Sequence, residues 1–313
     1  ASCPAVGRQA ECTQQKQPGA KCHTGSVSPP RVKSIPKTVS FACITARQGY
    51  NPSQTVTPLF KQTGAWILDA ADLSGYALVN LWESLRALPT IGSRRKEFLY
   101  QLYRAGIETL PVIVVVSVFT GMILADQTGV QLAKYQQADA VGYLISVTMC
   151  REMGPFMTGI ILAACVGSAM AAEIGTMRVS EEIDALEVMS ISPVRYLLLP
   201  RIAALTLICP LLTIVTNLLG TAGGSLVAQR HFGVPLQVYY KNALDVLELK
   251  DPYSGLFKAM IFGMTIATVG CTMGMRTTGG AIGVGRATLN SVVISLLLIL
   301  ILGFFMTWMF YVA

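Results

Sequence analysis

Five long apolar stretches follow one another along the later part of the chain. They cover roughly residues 110–127, 141–172, 197–228, 256–275 and 289–313. Each is long enough to cross a hydrocarbon core, which takes about 20 residues of α-helix. The pattern therefore predicts an all-α, polytopic membrane protein with about five transmembrane helices.

A segment ahead of the first stretch has apolar residues at helical spacing, with polar residues between them. The apolar positions are Trp66, Ala70, Leu73, Ala77, Leu81, Leu85 and Leu88. The polar positions are Asp69, Asp72, Asn80, Glu83 and Arg86. Because this amphipathic helix leads directly into membrane spans, we expect it to lie in the membrane interface rather than on a soluble domain, and to end at Pro89.

Residues 1–62 lack such periodicity and differ in composition from the rest. They hold eight Lys and Arg residues, one acid (Glu11) and seven of the 15 prolines, so they cannot bury a core. No continuous apolar run follows the basic residues, and the Pro and Gly content argues against a mitochondrial presequence. We expect residues 1–62 to be a plastid-type transit segment, with a retained disordered tail as the alternative, and residues 63–313 to be a membrane-embedded domain.

The charge distribution bears on both partners and orientation. Residues 63–313 contain 16 basic and 16 acidic residues, so the net charge of +7 lies in the first 62 residues and no basic stripe favours nucleic acid. The short connections carry nine basic residues on the N-terminal side of the spans and four on the other side. By the positive-inside rule, the N-terminal side faces the compartment of synthesis, which in a plastid is the stroma.

Residues for catalytic or metal chemistry are scarce. The chain has only two histidines, and Cys150, Cys165, Cys209 and Cys271 lie singly in apolar stretches, where we expect small buried side chains. No nucleophile, histidine and acid set can be assembled from these residues. We therefore predict no catalytic residues, no metal site and no cofactor in this chain.

One segment approaches a nucleotide-binding pattern without meeting it. Gly280–Ala287 resembles a phosphate loop, but Arg286 stands where the lysine should be and Ala287 where a hydroxyl should meet Mg²⁺. The segment also joins two membrane spans instead of a strand and a helix. Any ATP hydrolysis must therefore be supplied by another chain.

Two adjacent charges, Arg151 and Glu152, lie about ten residues inside the second apolar stretch, just before Gly154 and Pro155. Charges at membrane depth cost at least about 2.5 to 3.5 kcal/mol each and persist where they face water, a partner or cargo. A helix break at Gly154 and Pro155 would also expose backbone groups, which is tolerated where a cavity lines them. These residues favour a functional cavity; the alternative is a short interfacial loop at headgroup level.

Small side chains recur every four residues on one face of the second stretch, at Gly159, Ala163, Gly167 and Ala171. Such ladders let helix backbones approach closely. We expect packing within one subunit, with a dimer seam as the alternative.

An acidic segment, Glu173–Pro193, connects the second and third stretches. Five apolar residues can share one helical face: Ile174, Met177, Ile183, Leu186 and Met189. Four acids crowd the rest, namely Glu181, Glu182, Asp184 and Glu187. A helix on an anionic bilayer favours basic residues, and this one has only Arg178, so its acidic face is expected to meet a protein. A solvated face without a partner is the alternative.

The residues from Arg151 to Arg201 resemble the core signature of MlaE-type permeases of lipid ABC transporters: REMGPFMTGIILAACVGSAMAAEIGTMRVSEEIDALEVMSISPVRYLLLPR. The similarity continues more weakly from about Phe98 to the C-terminus, with GMILADQTGVQLAKY from Gly121 and GVGRATLNSVV from Gly283. With its plastid-type leader, the chain is similar to the inner-envelope permeases of trigalactosyldiacylglycerol lipid importers.

The resemblance implies a homodimeric permease of the chloroplast inner envelope that carries a glycerolipid of the phosphatidate type. ATPase subunits on the stromal side would use ATP and Mg²⁺, and an MCE-type lipid-binding subunit would lie on the opposite side. The lipid-binding residues that it implies are Leu124, Leu132, Tyr135, Arg151, Glu152 and Lys258. The implied ATPase-coupling helix carries Glu173, Arg178, Glu181, Glu182, Asp184 and Glu187.

These roles suit an amphiphile that needs apolar walls for its tails and a few fixed charges for its headgroup. Arg151 or Lys258 would meet a phosphate, and Glu152 would balance the charge of the empty cavity. Two rival functions remain. An ion-coupled secondary transporter should show related halves with paired broken helices, and no such repeat is found. A membrane-embedded lipid enzyme would need a nucleophile or general base beside Glu152.

Overall fold

The computed structural model describes residues 74–84, 86, 95–245 and 247–311. The predicted transit segment lies outside these ranges, as do residues 66–73, 85, 87 and 88 of the predicted interfacial helix and its predicted end at Pro89. The regular elements in the described residues are all helical, without a strand. Five helical segments among them are long and apolar enough to cross a membrane: Arg95–Lys134, Val141–Val179, Val194–Phe232, Lys250–Met275 and Gly280–Tyr311. The predicted all-α architecture with five spans is confirmed.

We number the helices in chain order, beginning with α1 at residues 74–84. The first span contains α2 (Arg95–Ile107) and α3 (Leu110–Lys134). The second contains α4 (Val141–Thr148), α5 (Gly154–Leu162) and α6 (Ser168–Val179), joined by π-helical turns at Met149–Met153 and Ala163–Gly167. The remaining helices are α7 (Glu182–Val188), α8 (Leu199–Phe232, preceded by a π-helical turn at Val194–Leu198), α9 (Leu236–Asp245), α10 (Lys250–Met275) and α11 (Gly280–Tyr311).

Most helices extend beyond the apolar stretches that predicted them. The fifth begins at Gly280 instead of residue 289, and the fourth begins at Lys250 instead of residue 256. The reason is that hydropathy marks only the hydrocarbon core, whereas a helix can continue into the polar headgroup region. The helix α9 was not predicted, because its ten residues mix polar and apolar side chains and are too short to span a membrane.

Close backbone contacts hold the spans together. A Cβ atom on Gly121 of α3 would lie 1.8 Å from the carbonyl oxygen of Gly220 in α8, so these two helices pack with their backbones in direct contact. The predicted ladder of small residues packs against side chains of neighbouring helices. A Cβ atom on Gly167 would lie 3.0 Å from Ile266 of α10, and one on Gly159 would lie 3.4 Å from Ile299 of α11. The ladder thus packs within one subunit, as expected.

Helix α1 follows its predicted amphipathic pattern at most described positions, with one exception. Asn80 was placed on the polar face, but its side chain is buried, as is that of Ser84. Leu78, Val79 and Trp82 instead lie on the outside. Leu81, on the predicted apolar face, packs against the core, and Glu83 and Arg86 are exposed as predicted. Asn80 is therefore the exception among the described positions of the prediction.

The free cysteines divide into two groups. Cys150, Cys209 and Cys271 are buried, as predicted, and they pack as small apolar side chains. The same prediction is wrong for Cys165, which is exposed because its side of the π-helical turn at Ala163–Gly167 faces away from α10.

Candidate functional site

The two charges of the second span lie in a π-helical turn, Met149–Met153. The predicted helix break at Gly154 and Pro155 is wrong, because the chain stays helical through both residues and α5 begins at Gly154. Proline has no N–H and cannot donate the helical hydrogen bond to the carbonyl four residues earlier, that of Arg151. The chain accommodates the missing hydrogen bond by forming the wider π-helical turn. The second span is therefore continuous here, without the interfacial loop that was the alternative.

Lys258 of α10 supplies the missing donor. Its Nζ atom lies 3.0 Å from the carbonyl oxygen of Arg151. The approach depends on Gly255, one turn earlier, where a Cβ atom would lie 2.0 Å from the carbonyl oxygen of Cys150. Only glycine lets the α10 backbone lie against the π-helical turn so closely.

The Lys258 ammonium group is completely enclosed by hydrogen-bond partners. Its side chain is 1% exposed, and Nζ also donates to Glu152 Oε1 at 2.6 Å and to Thr307 Oγ1 at 2.8 Å. Thr307 in turn donates to the same Glu152 oxygen at 2.7 Å. An ammonium has three protons, so Lys258 can bind a headgroup only by exchanging one of these partners.

A second ion pair adjoins the first. Arg151 Nε donates to Asp251 Oδ1 at 2.6 Å, and Tyr311 donates to the same oxygen at 3.1 Å. The Arg151 guanidinium also lies 4.5 Å from the centroid of the Tyr311 ring. Asp251 is 1% exposed, and its Oδ2 atom has no hydrogen-bond partner among the described residues. The two cations and two carboxylates of the site give it no net formal charge.

Sequence reasoning missed Asp251 and Tyr311, which complete the Arg151 pair, and Thr307, which completes the Lys258 pair. An acidic residue in the first turn of a span was the available signal for Asp251, but the predicted fourth stretch began five residues too late. No comparable signal marks a threonine or tyrosine near the end of a long apolar helix.

The Glu152 and Lys258 pair forms one end of a cavity of about 430 Å³ between the second span, α10 and α11. The polar lining side chains are Glu152, Lys258 and Thr307. The other lining residues are Met153, Phe156, Phe262, Ile299, Leu300, Gly303 and Phe304. A charged end with otherwise apolar walls matches the two parts of an amphiphile, a polar headgroup and hydrocarbon tails. We call this space the span cavity.

Two of the six predicted lipid-binding residues, Glu152 and Lys258, line the span cavity, and Arg151 contacts Lys258 through its carbonyl oxygen without lining it. Leu124 and Leu132 pack against a separate buried cluster that includes Ile145 and Tyr239, and the side chain of Tyr135 is 77% exposed. Burial in that cluster also raises the pKa of the Tyr239 phenol, which donates to the Thr221 carbonyl at 3.1 Å.

One residue links the two groups. Met153 lines the span cavity and also packs against the cluster that holds Leu124 and Leu132. The structure therefore brings Arg151, Glu152 and Lys258 together, and leaves the other three at a distance within a single subunit.

The predicted coupling helix is two helices rather than one. The second span continues as α6 to Val179, and the chain then turns at Glu181, whose φ of 60° lies in the left-handed region. The short helix α7 follows, with Glu182, Asp184 and Glu187 exposed. A left-handed residue cannot continue an α-helix, so the acidic helix changes direction relative to the span.

The charged residues of this segment have different surroundings. Glu173 lies in α6 and forms ion pairs with Arg104 of α2 and, at 3.1 Å, with Arg201 of α8, so it joins helices within the subunit. Arg178 pairs with Asp184 and joins α6 to α7.

The apolar residues of α7 are divided as well. Ile183 is fully buried against the core, whereas Val188 and Met189 are 86% and 61% exposed. Met189 was expected on the apolar face with Ile183, and this expectation is wrong because α7 ends at Val188. Helix α7 is thus anchored in the subunit by Ile183 and by the Asp184 ion pair, while its end at Val188 is exposed.

Comparison with known proteins identifies the family. The family model described as Permease MlaE matches residues 98–309, which extend from α2 into α11. This chain belongs to the MlaE permease family.

The relatives of this MlaE permease carry matching names. A probable ABC transporter permease protein of Synechocystis is 36% identical over 217 residues, 69% of this chain and 82% of the relative. One of the same description from Rickettsia prowazekii is 36% identical over 211 residues, 67% of this chain and 82% of the relative. The chloroplastic Arabidopsis thaliana protein TRIGALACTOSYLDIACYLGLYCEROL 1 is 35% identical over 213 residues, 68% of this chain and 61% of that protein. The names of these relatives agree with the function that the sequence resemblance implied, that of an ABC transporter permease.

Proposed function

We propose that this MlaE permease carries glycerolipids of the phosphatidate type through the chloroplast inner envelope, with its N-terminal side in the stroma. The observation that carries the proposal is the span cavity, whose apolar walls end at the Lys258 and Glu152 pair. The chloroplast assignment is supported by the plastid-type composition of residues 1–62 and by the name of the Arabidopsis relative.

The contacts of the ion pair suggest how a headgroup enters. A phosphate oxygen replaces the Glu152 carboxylate at Lys258 Nζ, which keeps three hydrogen-bond partners throughout the exchange. Glu152 can leave because its side chain is 42% exposed and therefore partly solvated. Arg151 uses Nε for Asp251, and its terminal nitrogens provide further donors for the phosphate. The tails then lie along the apolar walls formed by residues such as Phe156 and Phe304.

ATP hydrolysis is assigned to separate ATPase subunits on the stromal side, which bind ATP and Mg²⁺, while this chain needs no cofactor. The exposed acids of α7 would contact them, and Ile183 would transmit movement of α7 into the buried core. A second copy of the chain completes the transport path, and an MCE-type subunit exchanges lipid on the opposite side. The ATPase partner follows from membership of an ABC permease family, whereas the second copy and the MCE-type subunit belong to the proposal.

The proposal is tested by purifying the full complex from envelope membranes and reconstituting it into vesicles. The measurement is ATP-dependent transfer of a fluorescent phosphatidate. Glu152→Gln should slow transfer by at least about tenfold, because a neutral amide competes with phosphate for Lys258 less well than a carboxylate, so the bound lipid is released more slowly. Asp126→Asn is a matched control, since Asp126 pairs with His231 at the exposed surface.

Three results would contradict the proposal: no copurifying ATPase, transfer driven by an ion gradient without ATP, or equal transfer by the Glu152→Gln variant and the wild type. The second result would favour the ion-coupled transporter.

A further inference from the structure

A second cavity lies on the opposite side of α10 from the span cavity. It has a volume of about 330 Å³. Met260 and Met264 of α10 line it, whereas Lys258 and Phe262 line the span cavity. A two-residue offset is about 200° around a helix, which places the two cavities on different faces of α10.

We call this second cavity the α8 groove, because most of its lining residues belong to α8. They are Leu199, Ile202, Ala203, Thr206, Leu207 and Pro210. Ser84 of α1, Phe98 of α2 and the two α10 methionines complete the lining. Only Ser84 and Thr206 carry polar side-chain atoms. Leu207 and Met260 are 51% and 39% exposed, so the groove opens toward the surroundings of the bundle.

The dimensions of the α8 groove match one leaflet of a bilayer. Its lining extends along α8 from Leu199 to Pro210, which at about 1.5 Å per residue is roughly 16 Å. A hydrocarbon core is about 30 Å thick, so the groove is about as long as the acyl region of one leaflet. Leu199 begins α8, so the groove starts at one end of the third span and reaches its middle.

One unpaired hydrogen-bonding group, on Ser84 of α1, lies in the lining of the groove, and a second lies outside the lining on Asn80. Ser84 Oγ and Asn80 Nδ2 are buried, with side chains 2% and 3% exposed, and neither atom has a partner among the described residues. The two residues are four apart and lie on the same face of α1. Buried polar groups in proteins are normally hydrogen-bonded, so the unpaired Ser84 hydroxyl in an otherwise apolar groove points to a ligand that has an acceptor at one end.

We propose that the α8 groove holds one acyl chain of a membrane lipid, with a glycerol-ester oxygen that accepts a hydrogen bond from Ser84. This lipid is not cargo, because it binds on the other side of α10 from the span cavity. The groove lining also has no ion pair like that of Lys258 and Glu152, with which a headgroup could exchange. It fastens α1 to α8 and α10. The proposal requires only that the spans lie in a bilayer, so it holds independently of the transported lipid.

The test uses the full chain in nanodiscs of phosphatidylglycerol and phosphatidylcholine, with a fraction of phosphatidylcholine that carries a diazirine on its acyl chain. After irradiation, mass spectrometry maps the labelled residues. We expect label at Ala203, Leu207 and Met264 to exceed that at Leu218, which is also on α8 and 65% exposed to bulk lipid. Equal labelling of groove and surface would overturn the proposal, because it indicates bulk lipid only.

Variants separate occupancy from general contact with lipid. Ala203→Phe fills the groove and should abolish its excess label, whereas Ala222→Phe, at an exposed position of the same helix, should not. Should Ala203→Phe fail to fold, Ser84→Ala keeps the groove open and removes one hydrogen bond. It should speed exchange of the labelled lipid by about fivefold.

Unchanged groove labelling in Ala203→Phe or unchanged exchange in Ser84→Ala would contradict the assignment. So would cross-linking of Ala203→Cys to residues 87–94, which would show that the chain itself fills the groove.

Discussion

The Lys258 and Glu152 pair gives the sharpest quantitative prediction, because its two members are unequally buried. Lys258 is 1% exposed and Glu152 is 42% exposed. Removing the acid leaves a fully buried cation, whereas removing the cation leaves an acid that water can reach. The two single substitutions should therefore differ, even though they break the same ion pair.

The expected magnitudes follow from these contacts. Glu152→Leu should lower the free energy of unfolding by about 3 kcal/mol, the low end for breaking a buried pair, because the acid is partly exposed. Lys258→Met should lower it by about 2 kcal/mol, since the Arg151 carbonyl loses its donor. In the double variant no charge is left unpaired, and only the carbonyl penalty of about 2 kcal/mol remains. The double variant should thus be more stable than Glu152→Leu alone.

The assay is thermal unfolding of the purified protein in one detergent and lipid mixture, with the four proteins of the double-mutant cycle measured together. For a chain of this size, 1 kcal/mol shifts Tm by about 2 to 4 °C, so Glu152→Leu should lose about 6 to 12 °C and the double variant clearly less. Asp126→Leu breaks an exposed pair with His231 and should change Tm little.

Additive losses would refute this reasoning. If the double variant loses as much free energy of unfolding as the two single variants together, the two side chains are not energetically coupled. The ion pair would then contribute nothing to the stability of the folded protein. Equal losses in the two single variants would contradict the unequal burial.

Three further outcomes are expected. Gly255→Ala should destabilise the protein by about 3 kcal/mol in thermal unfolding, because its Cβ would lie 2.0 Å from the Cys150 carbonyl. Reversing Glu182 and Glu187 to lysine together should reduce recovery of the ATPase in a pull-down without changing insertion, because both acids are exposed on α7. A small membrane-permeant maleimide should label the exposed Cys165 in the purified native protein.

Each outcome has a matched control in the same chain. Gly285→Ala should be tolerated, since no atom lies within 4 Å of its Cβ position. Lysines at Asp245 and Glu248, exposed beyond the far end of α8, should leave the ATPase bound, and Cys209 should stay unlabelled. Loss of the ATPase in both charge reversals would indicate a general charge effect, and labelling of Cys209 would indicate unfolding.

Hydropathy alone predicted the five spans and the all-α class, because crossing a bilayer is a requirement on each segment separately. The same local signal exposed Arg151 and Glu152, since charges within an apolar stretch are conspicuous whatever they pair with. The signature from Arg151 to Arg201 then predicted the family that the comparisons confirm. The pocket assignment of Leu124, Leu132 and Tyr135 stays a prediction that transport measurements must test.

The tertiary structure decided which groups meet. Lys258 and Thr307 are 106 and 155 residues away from Glu152 in the chain, and Asp251 is 100 residues from Arg151. Lys258 and Asp251 reach their partners in the second span because Gly255 lets α10 lie against the π-helical turn. That turn was also beyond sequence reasoning, since it replaces regular helix where Lys258 of α10 supplies a compensating contact. The left-handed conformation of Glu181 was missed as well, because residues other than glycine rarely adopt it. Membrane spans are local properties of the chain, whereas ion pairs depend on how those spans pack.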